Sequence, residues 1–140
     1  MIRFSISNVA FEEGTTDELY RLLLGVCADL AISINGRQFV FETAYPVVEL
    51  ARQMQQEVAV ALDACEPFTL TSVELEDPRF VSFDRTQPDG YLISSGPQQW
   101  EHRQNVSRLD LYTAFQRFTA DVLLEAWSAL DLDLRQAIFG

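Results

Sequence analysis

The chain has 140 residues, of which ten are basic and 21 acidic, so its formal net charge at pH 7 is −11. This charge disfavours nucleic acid and anionic membrane leaflets as partners, because both carry charge of the same sign. The apolar fraction of 48% is typical of a folded protein, and the length predicts a single domain over residues 1–140.

The amino-acid usage also bears on source and compartment. All ten basic residues are arginine, which indicates GC-rich codon usage and favours a bacterial source. The first residues lack the pattern of a signal peptide, and no apolar run approaches the roughly 20 residues of a membrane span. The sequence therefore predicts a soluble cytoplasmic protein.

The chain begins with the pattern of a strand, over residues 2–11. Ile2, Phe4 and Ile6 alternate with polar residues until the period changes after Asn8, which indicates either a bulge or the end of the strand. A capping box of Thr15 and Glu18 then predicts a helix. Its apolar stripe continues through Val26, Cys27 and Leu30, so this helix is expected to end near Asp29.

A hairpin over residues 30–42 has the clearest local signal. Asn35-Gly36 is the preferred pair for a tight type I′ turn, since both positions need positive φ. A regular register then pairs apolar residues on one face and polar or small residues on the other. The predicted pairs are Ile34 with Arg37, Ile32 with Phe39 and Leu30 with Phe41 on the first face, and Ser33 with Gln38 and Ala31 with Val40 on the second.

The second predicted helix begins at Tyr45-Pro46 and ends before Pro67. Its apolar stripe has helical spacing and consists of Val47, Leu50, Ala51, Met54, Val58, Ala61, Leu62 and Cys65. Cys27 and Cys65 thus both fall on apolar helix faces, which favours two buried, reduced thiols over a disulfide.

Residues 68–105 have the composition of antiparallel strands separated by turns at Asp77-Pro78, 87–90 and Gly96-Pro97. A last helix is predicted to start at a capping box of Ser107 and Asp110, with Val106 and Leu111 as its hydrophobic staple. The predicted buried stripe of this helix consists of Leu111, Phe115, Phe118 and Val122, widened by Leu123, Trp127 and Leu130.

No pattern in the sequence predicts a catalytic centre, a metal site or a cofactor. His102 is the sole histidine, and in a strand its side chain points away from Glu101, so the two do not form an acid–base pair. Cys27 and Cys65 have no nearby thiol or imidazole with zinc-ligand spacing. Glu74, Glu76 and Asp77 lack EF-hand spacing and are interpreted as solvated carboxylates.

The polar strand around residues 98–104 is the predicted partner-binding site, through Trp100, Glu101, His102 and Arg103. Tryptophan and arginine are enriched at binding hot spots. The competing interpretation is an edge strand that is polar because polar edges resist aggregation.

Together these elements predict an α+β fold in which an antiparallel sheet of about six to seven strands packs against three amphipathic helices. In its general type, a short acidic chain without catalytic residues, the sequence resembles bacterial immunity proteins that neutralise toxins. That resemblance implies a non-enzymatic, acidic domain that binds a basic protein partner, with a toxin nuclease as one candidate. Two alternatives stay open: a small ligand-binding domain or enzyme with a pocket near Trp100 and His102, and a homo-oligomeric structural module.

Overall fold

The computed structural model describes residues 1–12, 18–72, 79–86, 89–95 and 100–140, and at 18–20, 100, 101, 103 and 104 it describes only the backbone. Several sequence predictions lie outside these residues. They are the cap at Thr15, the carboxylates Glu74, Glu76 and Asp77, and the turn residues Pro78, Gln87, Pro88, Gly96 and Pro97.

In the described residues, three strands and three short helices make up the first half of the chain, and four strands followed by two helices make up the second. The strands are β1 (Ile2–Phe11), β2 (Val26–Ile34), β3 (Arg37–Pro46), β4 (Phe68–Thr71), β5 (Arg79–Thr86), β6 (Gly90–Ser95) and β7 (Trp100–Ser107). The helices are α1 (Glu18–Gly25), α2 (Val47–Arg52), α3 (Ala59–Asp63), α4 (Arg108–Leu130) and α5 (Arg135–Phe139), with a π-helical turn at Gln53–Glu57 between α2 and α3.

The α+β class is confirmed, but the prediction of one sheet is wrong. Within the described ranges the strands form two antiparallel sheets, one in the order β1-β2-β3 and the other in the order β4-β5-β6-β7. Three helices are not confirmed either, because a π-helical turn divides the second predicted helix and α5 follows α4. The helical segment between β3 and β4 separates the two sheets along the chain, so each sheet is built from strands that are close in sequence.

The first helix is shorter than its apolar stripe predicts. It ends at Gly25, and Val26 already pairs with Phe11 of β1. A Cβ atom at Gly25 would lie 2.7 Å from the carbonyl oxygen of Glu12, so the close approach of β1 requires glycine there. Cys27 therefore lies on a strand, because pairing of β2 with both of its neighbours outweighs the helical spacing.

The Asn35-Gly36 turn is confirmed, and the regular register predicted beyond it is wrong. Both turn residues have positive φ, at 52° and 81°, and the pairs of Ile34 with Arg37 and Ser33 with Gln38 form as predicted. The register then shifts by one residue at Phe39, so that Ile32 pairs with Val40, Ala31 with Phe41 and Leu30 with Glu42. As a result Val40 is buried and Phe41 is 51% exposed, since one extra residue exchanges the two faces of a strand.

The second helical segment starts at Val47, because Tyr45 and Pro46 still pair with β2. Its predicted stripe is largely buried, at Val47, Leu50, Ala51, Met54, Val58, Leu62 and Cys65. Glutamines of the π-helical turn connect three other elements: Gln53 donates to the carbonyl of Thr71 at 2.7 Å, Gln55 to the hydroxyl of Thr119 at 2.9 Å, and Gln56 to the carbonyl of Ile138 at 2.6 Å.

One hydrophobic core joins both sheets and α4. The ring of Phe115 on α4 lies edge-on to Phe4 of β1, with ring centroids 5.7 Å apart, and also contacts Phe68 and Phe83 of the second sheet at 6.1 Å each. Tyr45 of β3 stacks on Phe80 of β5 at 4.8 Å. These aromatic contacts hold α4 between the sheets and leave its opposite side facing solvent.

Candidate functional site

The four residues of the predicted partner site lie together on β7, at one end of the strand order of the second sheet. Trp100, Glu101 and His102 pair with Ser95, Ser94 and Ile93 of β6. The His102 side chain is partly buried and interacts with other residues. The side chains of Trp100, Glu101 and Arg103 lie outside the described residues, so their role in binding stays a prediction.

The β7 strand is irregular where it approaches α4. Tyr91 pairs with Val106 and Ile93 with His102, so residues 103–105 of β7 stand opposite the single residue Leu92. The Thr86 hydroxyl donates to the side-chain oxygen of Asn105 beside this bulge. Bulges bend a strand and interrupt its ladder, and this one separates the predicted residues Trp100–His102 from the start of α4.

The Ser107 cap at the start of α4 forms as predicted. The Ser107 side chain accepts a hydrogen bond from the backbone N–H of Asp110 at 3.1 Å, and Val106 and Leu111 are both buried. The predicted stripe of Leu111, Phe115, Phe118 and Val122 is buried as well. These residues fix which side of the helix faces the core.

The opposite side of α4 carries a row of exposed apolar residues, Leu109, Tyr112, Leu124 and Trp127, here called the outer stripe. They are 70%, 50%, 63% and 59% exposed. Leu109 and Trp127 lie about five turns apart on the same face, a separation of about 27 Å along the helix axis. The four residues form two pairs, Leu109 with Tyr112 and Leu124 with Trp127, at the two ends of the helix, with the exposed polar residues Gln116 and Arg117 between them. Exposed apolar surface larger than a single side chain is typical of protein-binding sites.

The prediction that Trp127 widens the buried stripe is wrong. Trp127 follows Phe115 by twelve positions, which is about 120° around the helix from the face that Phe115 buries. Leu123 and Leu130 are partly buried. The sequence identifies Trp127 as an apolar residue. Whether its side chain is buried depends on which elements pack against that part of α4, and these come from elsewhere in the chain.

Three aspartates lie close to Arg108 at the N-terminal end of the outer stripe. The Arg108 guanidinium forms an ion pair with Asp89 at 3.3 Å and donates to the backbone carbonyl of Asp63 at 2.5 Å. Asp110 lies in the first turn of the same helix, and the side chains of Asp63, Asp89 and Asp110 are exposed. We call Asp63, Asp89 and Asp110 with Arg108 the acidic corner; its formal charge is negative because it contains three carboxylates and one guanidinium.

A buried tyrosine, Tyr91, holds the segment that follows α3, next to Asp63 of the acidic corner. Its hydroxyl donates to the carbonyl of Glu66 at 2.9 Å, and it is buried. Burial, with a further contribution from the Cys65 thiol, raises the pKa of Tyr91 from 10.0 to about 12. The phenol thus stays protonated at neutral pH and holds the segment after α3 against the second sheet.

Helix α3 runs alongside the first half of α4. Gln55 contacts Gln116 and Thr119 at one end of this pair, and the Asp63 carbonyl contacts Arg108 at the other. The two segments are therefore antiparallel. Val60 of α3 is 74% exposed.

A groove of about 280 Å³ lies at the C-terminal end of the outer stripe, lined by Leu123, Trp127, Leu132, Asp133, Leu134 and Arg135. We call it the Trp127 groove. Arg135 contacts the Asp133 carboxylate through two nitrogens, at 3.0 Å from Nε and 2.6 Å from Nη2. This pairing lowers the pKa of Asp133 from 3.8 to about 2 and raises that of Arg135.

The turn that closes the Trp127 groove is an αL C-cap built on Asp131. Asp131 has a φ of 55°, its N–H donates to the carbonyl of Trp127 at 3.1 Å, and the N–H of Leu132 donates to the carbonyl of Ala126 at 3.3 Å. Glycine is usual at this position because it adopts positive φ without strain. No basic residue lies in the last turn of α4, and its C-cap residue is Asp131. The negative end of the helix dipole is therefore next to a carboxylate.

No group of three or more metal-ligating side chains occurs among the described residues. Cys27 and Cys65 are buried and not bonded to each other, as the sequence predicted. Among the helices described, none has the length and hydrophobicity needed to cross a bilayer.

Comparison with known proteins places most of the chain in one family. Residues 2–125 match the model of the Domain of unknown function (DUF7878). The chain belongs to that family. No curated protein and no solved structure matches it. The matched span contains the acidic corner and all of the outer stripe except Trp127, whereas five of the six residues that line the Trp127 groove lie beyond it.

Proposed function

We propose that this chain is a non-enzymatic, acidic protein-binding domain that engages a basic protein partner. The observation that carries the proposal is the outer stripe of α4, because it combines exposed apolar residues with carboxylates at both ends. Interfaces with aromatic and apolar anchors and a polar rim are typical of protein–protein recognition. The net charge of −11 selects partners of opposite sign.

Electrostatic complementarity supports the choice of a basic partner. A charge of one sign raises the association rate with an oppositely charged protein and disfavours like-charged partners. Carboxylates that stand in place of nucleic-acid phosphates would suit the basic cleft of a nuclease, and on this ground an immunity-type role against a toxin nuclease remains the specific form of the proposal. The steering falls with added salt, because the screening length is about 8 Å at physiological ionic strength.

The β7 residues Trp100, Glu101, His102 and Arg103 remain the proposed second part of the interface. An outer strand can bind a partner through its backbone as well as through side chains. Ser107 joins β7 directly to α4, so the strand approaches the acidic corner where the outer stripe begins. Trp100 lies at the opposite end of β7 from Ser107, and we propose that one partner extends along β7 to contact both surfaces.

The first experiment captures the partner and measures its binding as a purified protein. The immobilised chain is incubated with extract of the source cells, and the retained protein is purified and studied at several salt concentrations. We expect a basic protein whose association rate falls as salt rises. A neutral or acidic partner with a salt-independent association rate would contradict the proposal, as would binding of a second copy of this chain alone.

Substitutions then locate the interface. Leu109→Ser combined with Tyr112→Ser removes two exposed anchors and leaves the core intact, and we expect at least a tenfold loss of affinity. Phe41→Ser is the matched control, since Phe41 is equally exposed but lies on β3. Trp100→Ala and Arg103→Ala are measured in parallel. If only these last two weaken binding, the interface lies on β7 and the role of the outer stripe is disproved.

A further inference from the structure

The Trp127 groove combines apolar walls with one ion pair, between Asp133 and Arg135. Leu123, Leu132 and Leu134 supply apolar surface, and Trp127, which is more than half exposed, supplies an aromatic face. The volume of about 280 Å³ lies just below the range of pockets that hold drug-sized ligands. The groove is therefore of a size for one long side chain rather than for a cofactor.

The charges around the groove favour a cation. Asp133 is already paired with Arg135 through two hydrogen bonds, so these two groups are close to neutral together. Asp131 precedes Leu132 of the groove wall, at the end of α4 where the helix dipole is negative. The groove lining thus carries no net charge of its own, and an incoming positive charge is favoured by the Asp131 carboxylate at the C-cap, by the negative end of the α4 dipole and by the indole ring of Trp127.

We infer that the Trp127 groove binds an arginine side chain of the basic partner, with the guanidinium stacked on Trp127 and the methylene stem against the leucines. This inference rests on the proposed function for the origin of that arginine. Long basic side chains pack their stems on apolar surface while the charged end stays in contact with polar groups. The groove presents both kinds of surface side by side.

Arginine fits this groove better than lysine or a second copy of the chain. A guanidinium is planar, stacks on aromatic rings and is less strongly hydrated than an ammonium, so its transfer into the groove costs less. A second copy would bring another net charge of −11 to an anionic surface. The occupant is therefore expected to come from a protein of opposite charge.

The groove is tested first with short peptides, by NMR of the full chain. The probes are hexa-arginine, hexa-lysine and hexa-citrulline, because citrulline keeps the shape of arginine without its charge. We expect the arginine peptide to shift the Trp127 indole N–H signal and the amides of Asp131 and Leu132. Trp100 is an internal reference, and Trp127→Phe assigns the signals. Equal shifts with arginine and citrulline peptides, or shifts confined to Trp100, would overturn the inference.

Variants of the groove give the size of the effect. Trp127→Leu should weaken arginine-peptide binding about two- to fivefold, as expected for loss of an exposed cation–π contact. Asp131→Asn should weaken it about twofold or more, because one negative charge is lost. Phe41→Ser, on β3 and outside both the groove lining and the outer stripe, is the control and should bind as the wild type does. Unchanged binding by Trp127→Leu contradicts the inference.

The captured partner separates this inference from the proposed function. If a basic partner binds with salt dependence and Trp127→Leu binds it as tightly as the wild type, the groove inference fails and the proposed function stands. If no basic partner is found but hexa-arginine binds the groove selectively, the proposed function fails and the groove remains an arginine site. Loss of partner affinity in Trp127→Leu, with no loss in Phe41→Ser, supports both.

Discussion

The carboxylate of Asp29 accepts a hydrogen bond from the side-chain amide of Asn8 at 2.7 Å, and its other oxygen accepts one from the backbone N–H of Ala44 at 3.2 Å. Asn8 and Ala44 have positive φ, at 54° and 50°, and each lies at a register shift where β2 meets a neighbouring strand. Asp29, on the central strand β2, thus stabilises irregular backbone in both neighbouring strands.

We expect Asp29→Ala to lower the free energy of unfolding by about 1–2 kcal/mol, because two hydrogen bonds to a charged acceptor are lost at an exposed site. Urea denaturation measures the change. Asp29→Asn keeps one acceptor oxygen and should lose less. An Asp29→Ala protein as stable as the wild type would show that the two strained residues do not need this carboxylate.

The turn at Gly36 tests backbone strain without steric conflict. Its φ is 81°, and a Cβ atom there would have no atom within 4 Å. Gly36→Ala should therefore cost about 1–2 kcal/mol of stability through the left-handed conformation alone. Gly36→Asn should cost less, since asparagine tolerates positive φ. Thermal and urea unfolding of both variants would reveal the difference, and equal stabilities would contradict it.

Phe115 is the residue through which α4 contacts both sheets. Phe115→Ala should lower the free energy of unfolding by about 3–5 kcal/mol, because a fully buried ring is replaced by a cavity. Leu124→Ala on the same helix removes an exposed side chain and should change stability by less than about 0.5 kcal/mol. Comparable losses in the two variants would mean that Phe115 does not pack as described.

The raised pKa of Tyr91 predicts that the free energy of unfolding falls at alkaline pH. Its pKa is 10.0 in the unfolded chain and about 12 in the fold, so the fold favours the protonated phenol. The contribution of this group is complete below pH 10.0 and is lost as the pH rises through about 12. Tyr91→Phe lacks this titration and also loses the hydrogen bond to Glu66, at a cost of about 0.5–1.5 kcal/mol.

The measurement for Tyr91 is the difference in unfolding free energy between wild type and Tyr91→Phe across pH. We expect a constant difference up to pH 9 and a falling advantage of the wild type at higher pH. Absorbance titration of the phenolate, with Tyr91→Phe as the reference, reports the pKa directly. A Tyr91 that ionises with the other tyrosines would disprove the prediction.

The protein-binding site was predicted on β7, and sequence reasoning missed the outer stripe of α4. One signal was present, since Leu109, Tyr112, Leu124 and Trp127 recur on a single helical face. The sequence does not show which of the two faces is buried, because both carry apolar residues. Which of two apolar faces is covered depends on the sheets beneath the helix, and these come from distant parts of the chain.

The sequence by itself determined the features whose causes lie within a few residues. The Asn35-Gly36 turn and the Ser107 cap of α4 form as predicted, because positive φ and a side-chain acceptor act locally. The tertiary structure decided the end of α1 at Gly25, the division into two sheets, and the exposure of Phe41 and Trp127. These features depend on pairing and packing between residues far apart in the chain, and the energy of those contacts exceeds local preference.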